Sequence, residues 1–384
     1  MPDARKTGGR KNGGGYTTLV QDLLHQTASS MKLPAALLQP ELWASMARGG
    51  LTANLMPAPC AASTVGTASS PPSPTPSSAC AAWQSACVVA KEELKHHGHT
   101  ALPTLHWSTH GISLSALSET IDELQVAGYP PVFIFMYDQA WQLCEKLFDA
   151  MERIMGEGVT LDVSVFAWAL QRTDSVRGGV QSKKAEAAAS RVGNNFGVPH
   201  RDSRYADCHN ANGQPTELAV WVPLVDVSTD NGCMMVVPAM HDPLFEKSDH
   251  PLHMKPSDTM PWAHIRALPA SAGDVLIWRA NIIHWGSACG ARAATPRKSV
   301  AMSFTLQSDA DETCVGGSIR RVDLRAGLSM AQRVKLIATS LLTYEHWHPK
   351  FAGLSTSIVE SCLSTMAFPE VRAGGSAIYI PRAS

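Results

Sequence analysis

His200-Arg201-Asp202 is the tripeptide best suited to chemistry in this chain. On an extended strand, side chains two residues apart share a face, so the His200 imidazole and the Asp202 carboxylate converge while Arg201 points away. Such a pair offers two ligands of a three-ligand metal site, although His-x-Asp also arises often by chance. A third ligand is available in His284, which follows the apolar run Val275-Leu276-Ile277-Trp278. Taken alone, His284 reads as a core histidine bonded to backbone.

Arg297 changes that reading. It stands at the mouth of the next strand, Lys298-Ser299-Val300-Ala301-Met302-Ser303-Phe304. A hairpin joining the two strands brings a fixed guanidinium near the metal, in a geometry that grips a carboxylate through two parallel hydrogen bonds. Two histidines and one carboxylate with open coordination positions form the ligand set of non-haem Fe(II) oxygenases, and the arginine adds a seat for a keto-acid co-substrate. Arg292, in the loop from Ser287 to Pro296, competes with Arg297 for that seat.

The elements that position these residues are short strands behind a pair of helices. Leu114, Leu117, Ile121 and Leu124 recur at helical spacing, with Ser113 as N-cap and Gly128 as the stop. A second helix runs from Asp138 to about Met155, with Trp141, Cys144, Phe148 and Met151 on its apolar stripe and Gly156 ending it. Strands are then predicted at Val163 to Leu170, Leu218 to Val225, Met234 to Val237, Val275 to Trp278 and Ser299 to Leu306. Turn signals such as Asp230-Asn231-Gly232 separate them, which suggests a sandwich or barrel-like jelly roll. A late helix from Ser329 to about Tyr344 opens on a Ser329/Gln332 capping box.

The long segment from Asp242 to Pro261 reads as a lid, and His241, His250 and His253 read as surface residues. Trp168, Trp221, Met234, Trp278 and Trp285 are candidates for the apolar walls of the site. Asn194 and Asn195 either hydrogen-bond a bound acid or form a turn.

Residues 1–100 differ in character. The Ser/Pro-rich stretch from Pro57 to Ser78 cannot bury enough apolar surface to offset its ordering entropy, so the segment is expected to be a poorly ordered extension ahead of a domain spanning 101–384. Lys95-His96-His97-Gly98-His99 reads as a solvated stretch rather than a metal site.

A chain of 384 residues with 45% apolar and 17% charged residues can bury a sizeable core. Its net charge of −1 gives no reason to expect nucleic acid as a partner. No run is long enough to span a bilayer as a helix. Nine cysteines without a CxxC pair argue against a disulfide framework, and as reduced thiols they fit the cytoplasm or an organelle interior. Arg5, Lys6, Arg10 and Lys11 precede no apolar signal region, and an organelle-targeting tail stays open.

From about Gly128 to Leu306 the chain resembles the phytanoyl-CoA dioxygenase family of 2-oxoglutarate oxygenases. The resemblance is carried by Pro199-His200-Arg201-Asp202, by Leu218-Ala219-Val220-Trp221-Val222-Pro223-Leu224 with Asp230-Asn231-Gly232-Cys233-Met234, and by Ala272-Gly273-Asp274-Val275-Leu276. His284-Trp285-Gly286-Ser287 and Pro296-Arg297-Lys298-Ser299 complete it. It implies a double-stranded β-helix core with flanking helices, mainly β within an α+β class. It further implies iron on His200, Asp202 and His284, and 2-oxoglutarate on Arg297, with Ser287 and Trp221 beside it. The implied activity is hydroxylation of a small organic or lipid-like substrate with O2, releasing succinate and CO2. The rival readings are a cupin-like isomerase or hydrolase using the same ligands without oxygen chemistry, and a non-catalytic metal-binding jelly roll.

Overall fold

The structure, a computed structural model, describes residues 40–47, 50–53, 76–127, 129–170, 172, 198–306 and 318–343. Helices α1 (Pro40–Met46), α2 (Pro76–His97), α3 (Leu114–Val126) and α4 (Asp138–Met155) precede most of the strands, and α5 (Arg321–Ala326) and α6 (Met330–Thr343) follow them. Strands β1 (His99–Leu102), β7 (Val275–Arg279), β4 (Glu217–Pro223), β9 (Lys298–Leu306), β2 (Val159–Asp162) and β10 (Ser318–Ile319) lie in that order in a large antiparallel sheet. Strand β3 (Phe166–Ala169) also pairs with β9. A small sheet has the order β6 (Arg266–Leu268), β5 (Met234–Val237), β8 (Ile283–Gly286). This is a double-stranded β-helix core with flanking helices, and among the described residues the strands do not close into a barrel.

Local sequence explains the helices. The Ser113 hydroxyl accepts the Ala116 N–H at 3.2 Å, which caps α3 and satisfies one of its orphan donors. Leu117, Ile121 and Leu124 then fall on the buried stripe. The helix gives way at Ala127, and the expected stop at Gly128 lies outside the described residues. Helix α4 ends at Gly156, whose φ of 114° favours glycine. At the start of α6, Ser329 N donates to Gln332 Oε1 at 2.8 Å, as the capping box requires.

Strand β4 is buried on both faces, so its sequence is a continuous apolar run without alternation. Leu218, Val220 and Val222 join the main core under the helices. Ala219 and Trp221 point the other way, into a second cluster with Met234, Val236, Leu276 and Trp278 between the sheets. The site lies on this inner side.

Three expectations are revised. The boundary expected at residue 100 falls inside β1, and residues before it are part of the core. Trp43 is fully buried, its ring 5.7 Å from Phe133 and 5.5 Å from Tyr129, and Leu51, Cys87, Ala90 and Leu94 are buried in the same cluster. Helix α2 starts at Pro76, inside the expected linker, because proline suits the first helical turn and the alanines after it favour helix.

The second revision concerns the segment between β5 and β6. It packs as a wall of short turns rather than a lid, burying Leu244, Phe245, Met254 and Met260. His253, expected at the surface, is the third: it is fully buried and donates Nδ1–H to Leu244 O at 2.8 Å. Cys87, Cys144, Cys208, Cys233 and Cys289 are buried free thiols. Among the described residues no helix is long and apolar enough to cross a membrane.

Candidate metal centre

The segment carrying His200 runs antiparallel beside the start of β8. His200 and His284 exchange both backbone hydrogen bonds, at 3.1 and 3.0 Å, and the N–H groups of Asp202 and Ser203 donate to Ala280 O. In such a directly opposed pair the two side chains rise side by side. Their ring centroids are 4.4 Å apart. Asp202 follows on the same face: Oδ1 lies 3.5 Å from His200 Nε2 and Oδ2 lies 3.6 Å from His284 Nε2.

One ligand atom from each residue lies within 4.8 Å of the others, a spacing that can hold a metal ion. Among the described residues no other group of three or more His, Cys, Asp or Glu side chains does so. Each imidazole is oriented by its other nitrogen. His200 Nδ1 is 2.9 Å from Val198 O and His284 Nδ1 is 3.2 Å from Ile282 O. A carbonyl can only accept, so Nδ1 carries the proton and Nε2 presents its lone pair toward Asp202.

Burial pushes His284 down to about 4, against the pull of Asp202, so its imidazole is neutral near neutral pH. Burial acts to raise Asp202, but His284 and His200 outweigh it and hold the carboxyl below its usual range. The charge of His284 contributes only in acid, where that ring is protonated. With its carboxyl held below the usual range, Asp202 is ionised near neutral pH. These are the protonation states that metal ligation requires. The side chain of Asp202 stays 25% exposed, which leaves the open side of the triad reachable.

Arg297 is 1% exposed. Its Nη1 donates to Gly232 O and lies 3.8 Å from Met234 Sδ, and its guanidinium carbon sits 5.7 Å from the Trp221 ring centroid. No carboxylate pairs with it among the described residues, and its Nε is buried without a partner. Burial pushes it down to about 10, which still leaves a cation at neutral pH. Gly286 leaves room opposite: a Cβ there would stand 2.6 Å from Nη1, so a side chain at that position would press on the guanidinium. Gly286 and His284 share a face of β8, so the guanidinium lies about 7 Å along the strand from the imidazole, two residues' rise.

Arg292 is exposed, in a loop tied back by Arg172, which donates to Ala293 O at 2.7 Å. Ser287 Oγ donates to Cys233 O at 2.9 Å, holding the end of β8 beside Gly232. Of the other expected wall residues, Trp221, Trp278 and Met234 are in the inner cluster, with the Trp278 ring 5.0 Å from that of His284. Trp285 turns to the opposite face beside Val237 and Met260, and Trp168 packs on the main core. Asn194 and Asn195 lie outside the described residues.

Two residues escaped the sequence reading. Glu217, at the start of β4, is buried and accepts a hydrogen bond from Ser203 Oγ at 2.9 Å; burial without a cation raises it to about 7. Its signal was its parity with Ala219 and Trp221, which puts it on the inner face. Arg201, between the two ligands, is held on the opposite side through Nε and Nη1.

Residues 164–293 match the family model described as Phytanoyl-CoA dioxygenase (PhyH). No curated protein matches the sequence. Similar solved structures include the epimerase SnoN in complex with Fe3+, alpha ketoglutarate and nogalamycin RO, at 17% identity over 58% of this chain and 84% of that one, TM-score 0.37. Another is the non-heme monooxygenase ThoJ with nickel, at 14% identity over 62% and 87%, TM-score 0.41. A third is HygX from Streptomyces hygroscopicus with iron bound, at 12% identity over 57% and 86%, TM-score 0.37. The span of the family model contains His200, Asp202 and His284 and ends just before Arg297. Over that span, about a third of its length, the chain is similar to the phytanoyl-CoA dioxygenase family.

Proposed function

We propose that this protein is an Fe(II)- and 2-oxoglutarate-dependent dioxygenase that hydroxylates a small organic substrate. The observation that carries the reading is the pairing of two features on one face of β8. A triad of two imidazoles and one carboxylate sits beside a buried arginine that lacks an acidic partner among the described residues. Either alone has a bland explanation. Together they supply a cation site and, one strand repeat away, a seat for the far carboxylate of a keto diacid.

His200, Asp202 and His284 would hold the iron through Nε2, a carboxylate oxygen and Nε2, and their arrangement to one side leaves the other side for co-substrate and oxygen. Bound Fe(II) with 2-oxoglutarate supplies the oxidising chemistry that ends in succinate, CO2 and an oxygenated product. The chain supplies orientation and a dry setting. Arg297 fixes one end of the co-substrate by charge-assisted hydrogen bonds. Trp221 lies under the guanidinium and shields it from water, which strengthens that grip. Ser287 Oγ keeps lone pairs for the same carboxylate while its proton is given to Cys233 O. Glu217 and Trp278 extend the inner wall toward the substrate side.

The test is oxygen uptake by iron-loaded protein with and without 2-oxoglutarate, followed by incubation with a metabolite extract and a search for products heavier by one oxygen. Uptake that requires 2-oxoglutarate and yields succinate is the expected result. Metal binding without 2-oxoglutarate-dependent uptake would favour a cupin-like metalloprotein of another class.

A further inference from the structure

Arg201 is 1% exposed and faces away from the metal ligands on either side of it. Its Nε donates to His253 O at 2.8 Å and its Nη1 donates to Asn281 O at 2.6 Å. Asp242 Oδ2 approaches Nη1 at 2.6 Å, a close ion pair without the angle of a good hydrogen bond. These partners belong to two other parts of the site. Asn281 is in the turn that passes from β7 in the large sheet to β8 in the small one, just before His284, and Asp242 and His253 are in the wall between β5 and β6. The partners are themselves fixed: Asn281 Nδ2 donates to Phe245 O at 2.9 Å, and Asp242 Oδ1 accepts Leu244 N–H at 3.0 Å.

We propose that Arg201 is a positioning residue for the metal centre, locking the segment that carries His200 and Asp202 to the β7–β8 turn that leads into His284 and to the 242–255 wall. The inference rests on the reading that these three residues hold a metal. The segment belongs to neither sheet; a single bridged pair with His284 and the bonds to Ala280 are its backbone attachments to the β7–β8 turn and the start of β8. On an extended chain, rotation at one residue tilts both neighbours, so the fork that holds Arg201 also sets the directions of His200 and Asp202. The guanidinium meets two carbonyls in fixed directions and the Asp242 carboxylate beside them, whereas a lysine keeps the charge but loses the fork.

The test is Co(II) titration of the full-length, metal-free protein, followed by visible absorption, for wild type, Arg201→Lys, Asp242→Asn and the exposed control Lys247→Ala. Near-ultraviolet circular dichroism reports folding. Folded Arg201→Lys and Asp242→Asn should bind Co(II) about tenfold more weakly or worse, as for other groups that orient ligands without touching the metal, and with an altered absorption spectrum. Lys247→Ala should match wild type. A folded Arg201→Lys with wild-type affinity and spectrum overturns the proposal, and Asp242→Asn decides if that variant does not fold. If neither folds, the cluster is a folding element and the positioning role is withdrawn. A wild-type protein that takes up no Co(II) would remove the metal reading itself, a different result from equal binding by wild type and variants.

Discussion

On β4, Leu218, Val220 and Val222 meet the helices, while Ala219, Trp221 and Glu217 face the small sheet. The two sides treat charge differently. Toward the helices, charges are paired: Lys298 with Asp122, Arg333 with Asp138 at 2.5 Å, and Arg321 with Glu145 and Glu152 at 2.9 and 2.8 Å. Toward the site, Arg297 and Glu217 are buried with no oppositely charged partner among the described residues. Burying a charge alone is costly, so the helix side is built for stability, whereas the site side keeps charges that a ligand can complete.

The largest expected effect is on the helix side. Phe304 is fully buried edge-on to Phe148, with ring centroids 5.0 Å apart, so Phe304→Ala should cost about 3–5 kcal/mol of stability by urea denaturation. Trp43→Ala should cost a similar amount. A loss within about 0.5 kcal/mol, the usual range for surface changes, would mean that the N-terminal segment only rests on the core.

On the site side the order reverses, with ligand affinity falling while stability holds. Arg297→Ala should weaken 2-oxoglutarate binding roughly tenfold or more, from a lost charge-assisted contact of about 1.5–3 kcal/mol, and leave Co(II) binding intact. Arg292→Ala should do neither. Isothermal titration of both variants checks this, and the opposite pattern would reassign the seat. Gly286→Ala is a finer probe, since its methyl must displace the guanidinium. It should weaken 2-oxoglutarate severalfold, by the same titration, while the metal still binds.

The smallest effect is a pH dependence. Glu217 has a folded pKa of about 7, above its ordinary 4.5. The stability gained from its protonated form is therefore complete below about 4.5 and lost as pH rises through 7. Glu217→Gln should flatten that part of the stability profile in urea titrations between pH 4.5 and 8. An unchanged slope would place the Glu217 carboxyl in contact with solvent or a cation.

Much of this was legible in the sequence for physical reasons. His200 and Asp202 were readable from strand alternation, and α3 and α4 from apolar spacing with Ser113 and Gly156 at their ends. The two-sided burial of β4 appeared as an unbroken apolar run. What stayed hidden depends on distant contacts. Helix α2 was masked by the prolines and serines before it, and Trp43 gives no sign of its stacking on Phe133. His253 looks like a surface residue because nothing local records that it meets Arg201 across the wall. Nothing local to Gly286 records that its missing side chain makes room for the Arg297 guanidinium.

The most direct test of the central claim is succinate release with Fe(II), 2-oxoglutarate and oxygen, measured with iron content for wild type, Asp202→Asn and Asp207→Asn. Asp202→Asn removes the one anionic ligand while nearly keeping its shape, and Asp207 sits in the turn just after it, outside the triad. The account predicts that wild type and Asp207→Asn bind iron and form succinate, and that Asp202→Asn loses most of both. Full succinate release by Asp202→Asn, or its loss in Asp207→Asn instead, would contradict it.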